Sequence, residues 1–159
     1  MKVGDSHMPP LAQTGEERKP EIGVRFTILG EPVGKQRPRF TRRGAIYTPS
    51  PTRAREVAIG RLAAVAMRGR QPCSGPISVD IEAIFVPPES WPKNKKLSAL
   101  SGAIAPTGKP DLDNVFKLMA DGMNGIVYGD DAQIVFGRIR KRYGQEASTV
   151  CTVIMGMVI

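Results

Sequence analysis

The alternation of apolar and polar positions begins at residue 22. In IGVRFTIL (22 to 29), Ile22, Val24, Phe26 and Ile28 alternate with more polar neighbours, the period of a half-buried strand. Gly30, Pro32, Gly34 and Pro38 then break the pattern, which predicts a loop through GEPVGKQRPRF. Ser50 followed by Pro51 reads as an N-cap and first turn, and Ala54, Val57, Ala58, Leu62, Val65 and Ala66 make one apolar stripe at helical spacing. The helix expected over 51 to 68 closes near Gly69. ISVDIEAIFV (77 to 86) alternates again, with Ile77, Val79, Ile81, Ala83 and Phe85 inward. A connector rich in Pro, Lys and small residues follows over 87 to 109, with a short helix expected near 92 to 100. Connectors of this length inside a compact domain are uncommon and are usually functional or mobile.

From Asp113 the period is helical once more: Val115, Phe116, Met119, Ala120 and Met123 share a side, and Asn124-Gly125 supplies a left-handed terminus. IVYGDDAQIVFGRIRKRY (126 to 143) reads as a short extended piece, a turn at GDD and a long strand. On that strand Arg138, Arg140 and Arg142 share one face, and Val135, Ile139 and Tyr143 the other. TVCTVIMGMVI (149 to 159) is expected to pair back on it after the YGQE turn. The order β-α-β-(α)-α-β-β predicts an α/β (α+β) fold: one domain over 21 to 159, with a mixed sheet of about four strands and two main helices packed on it. The polar leader, 1 to 20, is expected to be disordered.

Composition narrows the chemistry. With 159 residues, 41% apolar and 24% charged, the chain suits one soluble core. No apolar run reaches the roughly 20 residues that span a bilayer, and the N-terminus lacks the hydrophobic centre of a signal peptide. A cytoplasmic protein with no membrane partner is the expectation. Cys73 and Cys151 lack CxxC spacing, so neither a disulfide nor a thiolate metal site is expected. The single histidine, His7, falls in the leader, which excludes Ser-His-Asp, Cys-His and histidine-rich zinc chemistry. Carboxylates, lysines, hydroxyls or a bound metal must do the work.

The formal net charge of +8 is clustered: KQRPRFTRR (35 to 43), Arg53 to Arg70, KNKK (93 to 96) and RIRKR (138 to 142). One such run is ordinarily a solvated surface, but four in one small domain point to a polyanion, with nucleic acid the leading one. The expected DNA contacts are Lys35, Arg37, Arg39, Arg42 and Arg43, then Lys93, Lys95, Lys96 and Lys109, then Arg138 and Arg140.

Against this background GKPDLDN (108 to 114) places Asp111 and Asp113 two residues apart. Two readings stay open on the residues alone. Asp113 caps the helix and Asp111 is a solvated loop residue, or the pair grips a cation. Lys117 and Asp121 follow Asp113 at successive four-residue steps, either as an i,i+4 ion-pair ladder or with the lysine set to meet a phosphate. Asp130 and Asp131 adjoin in a turn, where only one can face the helix start. Acids at the centre with lysine and arginine around them are the layout of a site that takes a phosphodiester with divalent metal. Mg²⁺ prefers a few carboxylates, waters and phosphate oxygens, and paired metals remove the need for histidine. GEPVGKQ is one residue short of a P-loop and carries Gln36 where Ser or Thr should be. DLDNV departs from an EF-hand at Val115.

KPDLDNVFKLMADGMNGIVYGDDAQIV (109 to 135) resembles the RusA family of Holliday-junction resolvases, endodeoxyribonucleases of bacteria, phages and prophages. The shared parts are the PDLDN core, the lysine four residues on, a D-x-x-N-G helix end and DDAQ before a strand. A weaker similarity in the GKQRPRFT loop, the YTP turn and the Ser-Trp-Pro-Lys connector extends it to about 24 to 143. The resemblance implies a homodimeric nuclease dependent on Mg²⁺, with Mn²⁺ as a substitute, that nicks two strands of like polarity in four-way junctions. It implies Asp111, Asp113 and Asp131 as metal ligands and Lys117 as the catalytic lysine. Asp130 then stands behind the ligands, and Asp121 is an ion-pair partner of Lys117 or a helix-surface residue. The long connector and the leader depart from compact members, which leaves preference among junctions, forks, flaps and duplex open. Two other classes compete: a non-catalytic branched-DNA-binding protein, and another metal-dependent phosphotransfer enzyme. The lack of a Gly-Ser nucleotide loop argues against the second and against a nucleotide cofactor.

Overall fold

A computed structural model describes residues 21–37, 39–40, 42–44, 46–47 and 50–156; the leader and His7 lie outside the described residues. The elements in chain order are β1 (Glu21–Leu29), β2 (Arg39–Phe40), β3 (Ile46–Tyr47), α1 (Ser50–Met67), β4 (Ile77–Phe85), α2 (Lys93–Leu100), α3 (Leu112–Met123), a 3₁₀ turn (Asp131–Gln133), β5 (Ile134–Tyr143) and β6 (Ser148–Met155). The predicted mixed four-stranded sheet is present, in the order β1-β6-β4-β5. β4 and β5 are parallel, and β6 runs antiparallel to both β1 and β4. The first basic loop also contains a small antiparallel hairpin, β2 with β3, which its glycines and prolines mask in the sequence pattern. Among the described residues no helix is long and apolar enough to cross a membrane.

β6 does not pair back on β5 as the sequence pattern predicted; it lies on the far side of β4. β4 is the most apolar strand, with Ile77, Val79, Ile81 and Ala83 all buried, so it gains most from a central position. β5, loaded with arginine, takes the edge. The chain between β4 and β5 holds α2 and α3, enough for the crossover that parallel strands require. The linker after β5 only has to step over the end of β4, where the Gly144 N–H donates to Phe85 O at 2.8 Å.

One core forms between the sheet and α1 and α3. Val24, Phe26 and Ile28 of β1, Cys151 and Val153 of β6, Ile59, Ala63 and Met67 of α1, and Val115, Leu118, Met119 and Met123 of α3 belong to it with β4. Both cysteines are free; Cys151 is buried and Cys73 half-buried. In α1 the predicted stripe is not the buried one. Val57 is 48% and Val65 76% exposed, whereas Thr52, Ile59, Gly60, Ala63 and Met67 are buried. This helix is apolar on two sides, and its contact with α3 selects between them. A Cβ on Gly60 would stand 3.2 Å from Gly122 O, and one on Gly122 would stand 2.6 Å from Ile59 Cγ2. Only the glycine-bearing side of each helix allows that approach.

Candidate active site

The catalytic-looking acids are carried by the start of α3. Pro110 ends the connector after a cis peptide bond, and the helix begins at Leu112 rather than at Asp113. Asp111 is the N-cap by backbone (φ −70°, ψ 147°), but its side chain makes no capping hydrogen bond. Asp113, in the first turn, makes no hydrogen bond or ion pair among the described residues. The helix dipole favours both negative charges here, yet neither carboxylate is spent on capping. Asp111 accepts from Lys109 Nζ at 2.6 Å. That ammonium holds the Asp111 carboxyl below its usual value of 3.8 against the opposing effect of burial, and the charges of Lys141 and Arg37 add to the lowering.

The second acidic pair shows the opposite arrangement. Asp130 caps the 3₁₀ turn, its Oδ1 accepting from the Ala132 N–H at 2.8 Å. Gln133 Oε1 accepts from the N–H groups of Gly129 (2.9 Å) and Asp130 (3.0 Å), and its Nε2 donates to the carbonyls of Cys73 (2.8 Å) and Gly75 (2.9 Å). One aspartate is therefore committed to the backbone. Asp131 is exposed, with no hydrogen bond or ion pair among the described residues. The structural role of Gln133 was legible in the D-x-x-Q spacing of a capping box.

The two acidic sites stand at opposite ends of α3. Tyr128, fully buried, donates to Ala120 O at 2.8 Å, and Tyr128 O accepts from Gly125 N–H, which ties the 125–131 segment to the C-terminal end of the helix. Burial pushes the Tyr128 phenol far up, and nearby Cys151, Asp131 and Asp121 push it the same way. Asp111, the N-cap, and Asp113, in the first turn, lie at the other end of this 12-residue helix, which is about 18 Å long. Among the described residues no three acidic, histidine or cysteine side chains form a preassembled cation cage.

The basic residues separate into committed and uncommitted groups. Lys35, expected on DNA, instead ion-pairs with Asp121 of α3 and stands 3.1 Å from Glu56 Oε1 of α1. Asp121 is thus the partner of Lys35 rather than of Lys117, which is exposed and makes no ion pair among the described residues. Arg138 pairs with Asp80, and Arg140 and Arg142 both pair with Glu82. These arginines occupy the sheet face opposite to α3. On the α3 side, Phe116 covers Gly137, and Lys141 Nζ donates to the carbonyls of Gly108 and Pro110, the latter at 3.1 Å. Lys141 lies inside the basic run without standing out from it; its odd position in the strand is the one signal that separates it from the arginines. Arg37 is exposed and its charge reaches Asp111, and Arg42 and Arg43 are exposed in the turn between β2 and β3. Arg39 lies in β2, but its side chain is outside the described residues. Lys93 and Lys95 are exposed and Lys96 half-buried on α2, with Lys95 Nζ 4.0 Å from the centre of the Trp91 ring.

Donor chemistry tests what the acids can hold. Asp111, Asp113 and Asp131 offer oxygen only, from exposed positions, and the last two are uncommitted. Such ligands suit a hard divalent cation that keeps waters and takes substrate oxygens, and they do not suit the nitrogen and sulfur sites of zinc.

Residues 30–154 match the family of endodeoxyribonuclease RusA. A protein of Bacillus subtilis (strain 168), described as "Uncharacterized protein YqaN", is 35% identical over 127 residues, which cover 77% of this chain and 89% of that relative. The match takes in both acidic sites, Lys117, β4, β5 and all but one residue of β6, and with it the chain belongs to the RusA family of endodeoxyribonucleases, the resolvases of Holliday junctions.

Proposed function

We propose that this RusA-family endonuclease is a Mg²⁺-dependent homodimer that resolves four-way junctions by paired nicks, with each active site shared between two protomers. The observation that carries this reading is the division of the carboxylates. Asp111 and Asp113 stand uncapped at one end of α3, and Asp131, freed by the capping role of Asp130, stands at the other. Within one chain the helix keeps them apart. A two-fold dimer that sets Asp131 of the partner subunit beside Asp111 and Asp113 completes the ligand set, and it provides the two related sites that a two-fold junction requires.

A bound Mg²⁺ supplies an activated water and a positive charge at the departing oxygen. Lys117, one turn beyond Asp113, stabilises charge that develops on the phosphate in the transition state. Arg37, Arg42, Arg43 and Lys109 form the exposed rim that attracts the DNA backbone, with Lys93 and Lys96 extending it along α2. Mn²⁺ serves in place of Mg²⁺, since both take oxygen ligands.

The test mixes two inactive variants. Asp113→Asn and Asp131→Asn proteins are each expected to bind a labelled four-way junction without cutting it in Mg²⁺. Refolded together, they form heterodimers in which one shared site has all its carboxylates, and single nicks return. No nicking from the mixture, with each variant shown to dimerise, places all three ligands in one protomer and defeats the shared site. Tight junction binding with no cleavage by the unaltered protein in Mg²⁺ or Mn²⁺ defeats the enzymatic reading itself.

A further inference from the structure

Asp121 lies four residues after Lys117 on α3, within ordinary reach for an i,i+4 ion pair, yet it pairs elsewhere. Its partner, Lys35, comes from the segment between β1 and β2, 86 positions away in sequence. The segment is laced to both helices. The Lys35 N–H donates to Asn114 O at 2.9 Å, and the Gln36 N–H to Thr52 Oγ1 at 3.3 Å. A Cβ on Gly34 would meet Pro110 Cβ at 3.0 Å and Asn114 Cβ at 2.9 Å. The Lys35 ammonium then reaches Asp121 by a hydrogen bond and Glu56 of α1 by an ion pair. All three side chains are only 20 to 24% exposed. They sit where α1 and α3 approach through Gly60 and Gly122, neighbours of Glu56 and Asp121 on their helices.

We infer that Lys35 is a positioning residue: by taking up Asp121 it keeps the ammonium of Lys117 unpaired and available to the scissile phosphate. This rests on the reading of Lys117 given above. Two features favour it over a DNA contact by Lys35. Two carboxylates already surround its charge in a half-buried setting. And burial pushes the Lys35 amine down while those carboxylates outweigh it, leaving the group above its ordinary value of 10.5 and charged at working pH. Without Lys35, Asp121 has a cation one helical turn away in Lys117. That order, lysine before acid, is the weaker i,i+4 arrangement, and Arg61 of α1, which lines the same groove as Glu56 and Asp121, is the other cation that could take the carboxylate; capture by Arg61 would leave turnover of Lys35→Met unchanged and overturn the inference.

The experiment is a rescue. Lys35→Met should lower turnover on saturating junction about tenfold, with junction affinity and its salt dependence changed by less than about twofold. Adding Asp121→Asn should return turnover to within about threefold of the unaltered protein, because the released carboxylate is gone. A phosphate contact by Lys35 would instead reduce affinity and the salt slope, and Asp121→Asn would not repair turnover. A merely structural clamp would lower the thermal midpoint, and the second substitution would lower it further without rescue. Either result overturns the inference. Should Lys35→Met fail to fold, NMR on the unaltered protein decides: a coupling across the hydrogen bond must join Asp121 to the Lys35 ammonium, and one joining it to Lys117 refutes the proposal. Lys117→Met separates the two readings, since unimpaired turnover there would refute the role of Lys117 itself.

Discussion

The two faces of β5 carry like charges in adjacent positions and put them to different uses. On the open face, Arg138 and Arg140 stand in register with Asp80 and Glu82 of β4 and pair with them; Arg142 shares Glu82. On the helix face Lys141 is half-buried, with its ammonium on the carbonyls of Gly108 and Pro110, just before Asp111. Three exposed arginines are spent on cross-strand neutralisation of two half-buried acids, Asp80 and Glu82. The lysine between two of them braces the segment that delivers the first metal-ligand candidate. A run of basic residues is thus not one surface. On a strand it is two surfaces, and parity decides which residues can reach the site.

The comparison can be tested by substitutions on the two faces. The largest expected effect is on the helix side: Lys117→Met lowers turnover about a hundredfold while junction affinity stays within about twofold, as read by single-turnover cleavage and gel-shift titration. Next, Lys141→Met should cost about tenfold in cleavage by loosening the approach to Asp111, whereas Arg140→Met stays within about twofold; equal losses would abolish the distinction between the faces. In packing, Gly137→Ala places a Cβ 2.7 Å from Phe116 Cζ and should cost about 1 kcal/mol, seen as a lower Tm. Thr27→Val, at an exposed β1 position outside the core, should stay within about 0.5 kcal/mol. In DNA binding, Arg42→Ala with Arg43→Ala should reduce the slope of log affinity against log salt by about 0.9 for each phosphate that is no longer neutralised. Arg138→Ala with Arg140→Ala should leave it nearly unchanged.

The smallest effect concerns pH. Lys35 has its pKa raised by its carboxylates despite burial, so the ion pair contributes its full stability below the ordinary value of 10.5 and loses it as pH rises through the higher folded value. Thermal melts from neutral pH upward should therefore show this contribution disappear only above 10.5, and Lys35→Met should remove that dependence.

Local pattern made much of this molecule legible. The strands at β1 and β4, the helix at α3 with its left-handed stop and the helical stretch of α2 follow from periods of two and about 3.6 and from glycine and proline punctuation. PDLDN with Lys117 and DDAQ identified the family, because their spacing reflects one helix start and one capped turn. The inward side of α1 was not legible, since both sides are apolar and only the Gly60 and Gly122 contact chooses between them. Nor was the position of β6, whose alternating residues would serve beside either neighbour until β4 claims the centre.

The sequence by itself determined where the main strands and helices run and which spaced acids and lysine mark the family. These depend on side-chain type and on spacing along a few turns of chain, interactions that are local and additive. Only the tertiary structure decided which charges are already satisfied. Lys35 meets Asp121 and Glu56 across 86 and 21 positions, Arg138 meets Asp80 across 58, and Lys141 meets Pro110 across 31. An ion pair depends on the distance between charges in space, and folding sets that distance for residues far apart in sequence. Lys117 makes no ion pair among the described residues, while Asp121, one helical turn away, is held by a lysine from a distant loop.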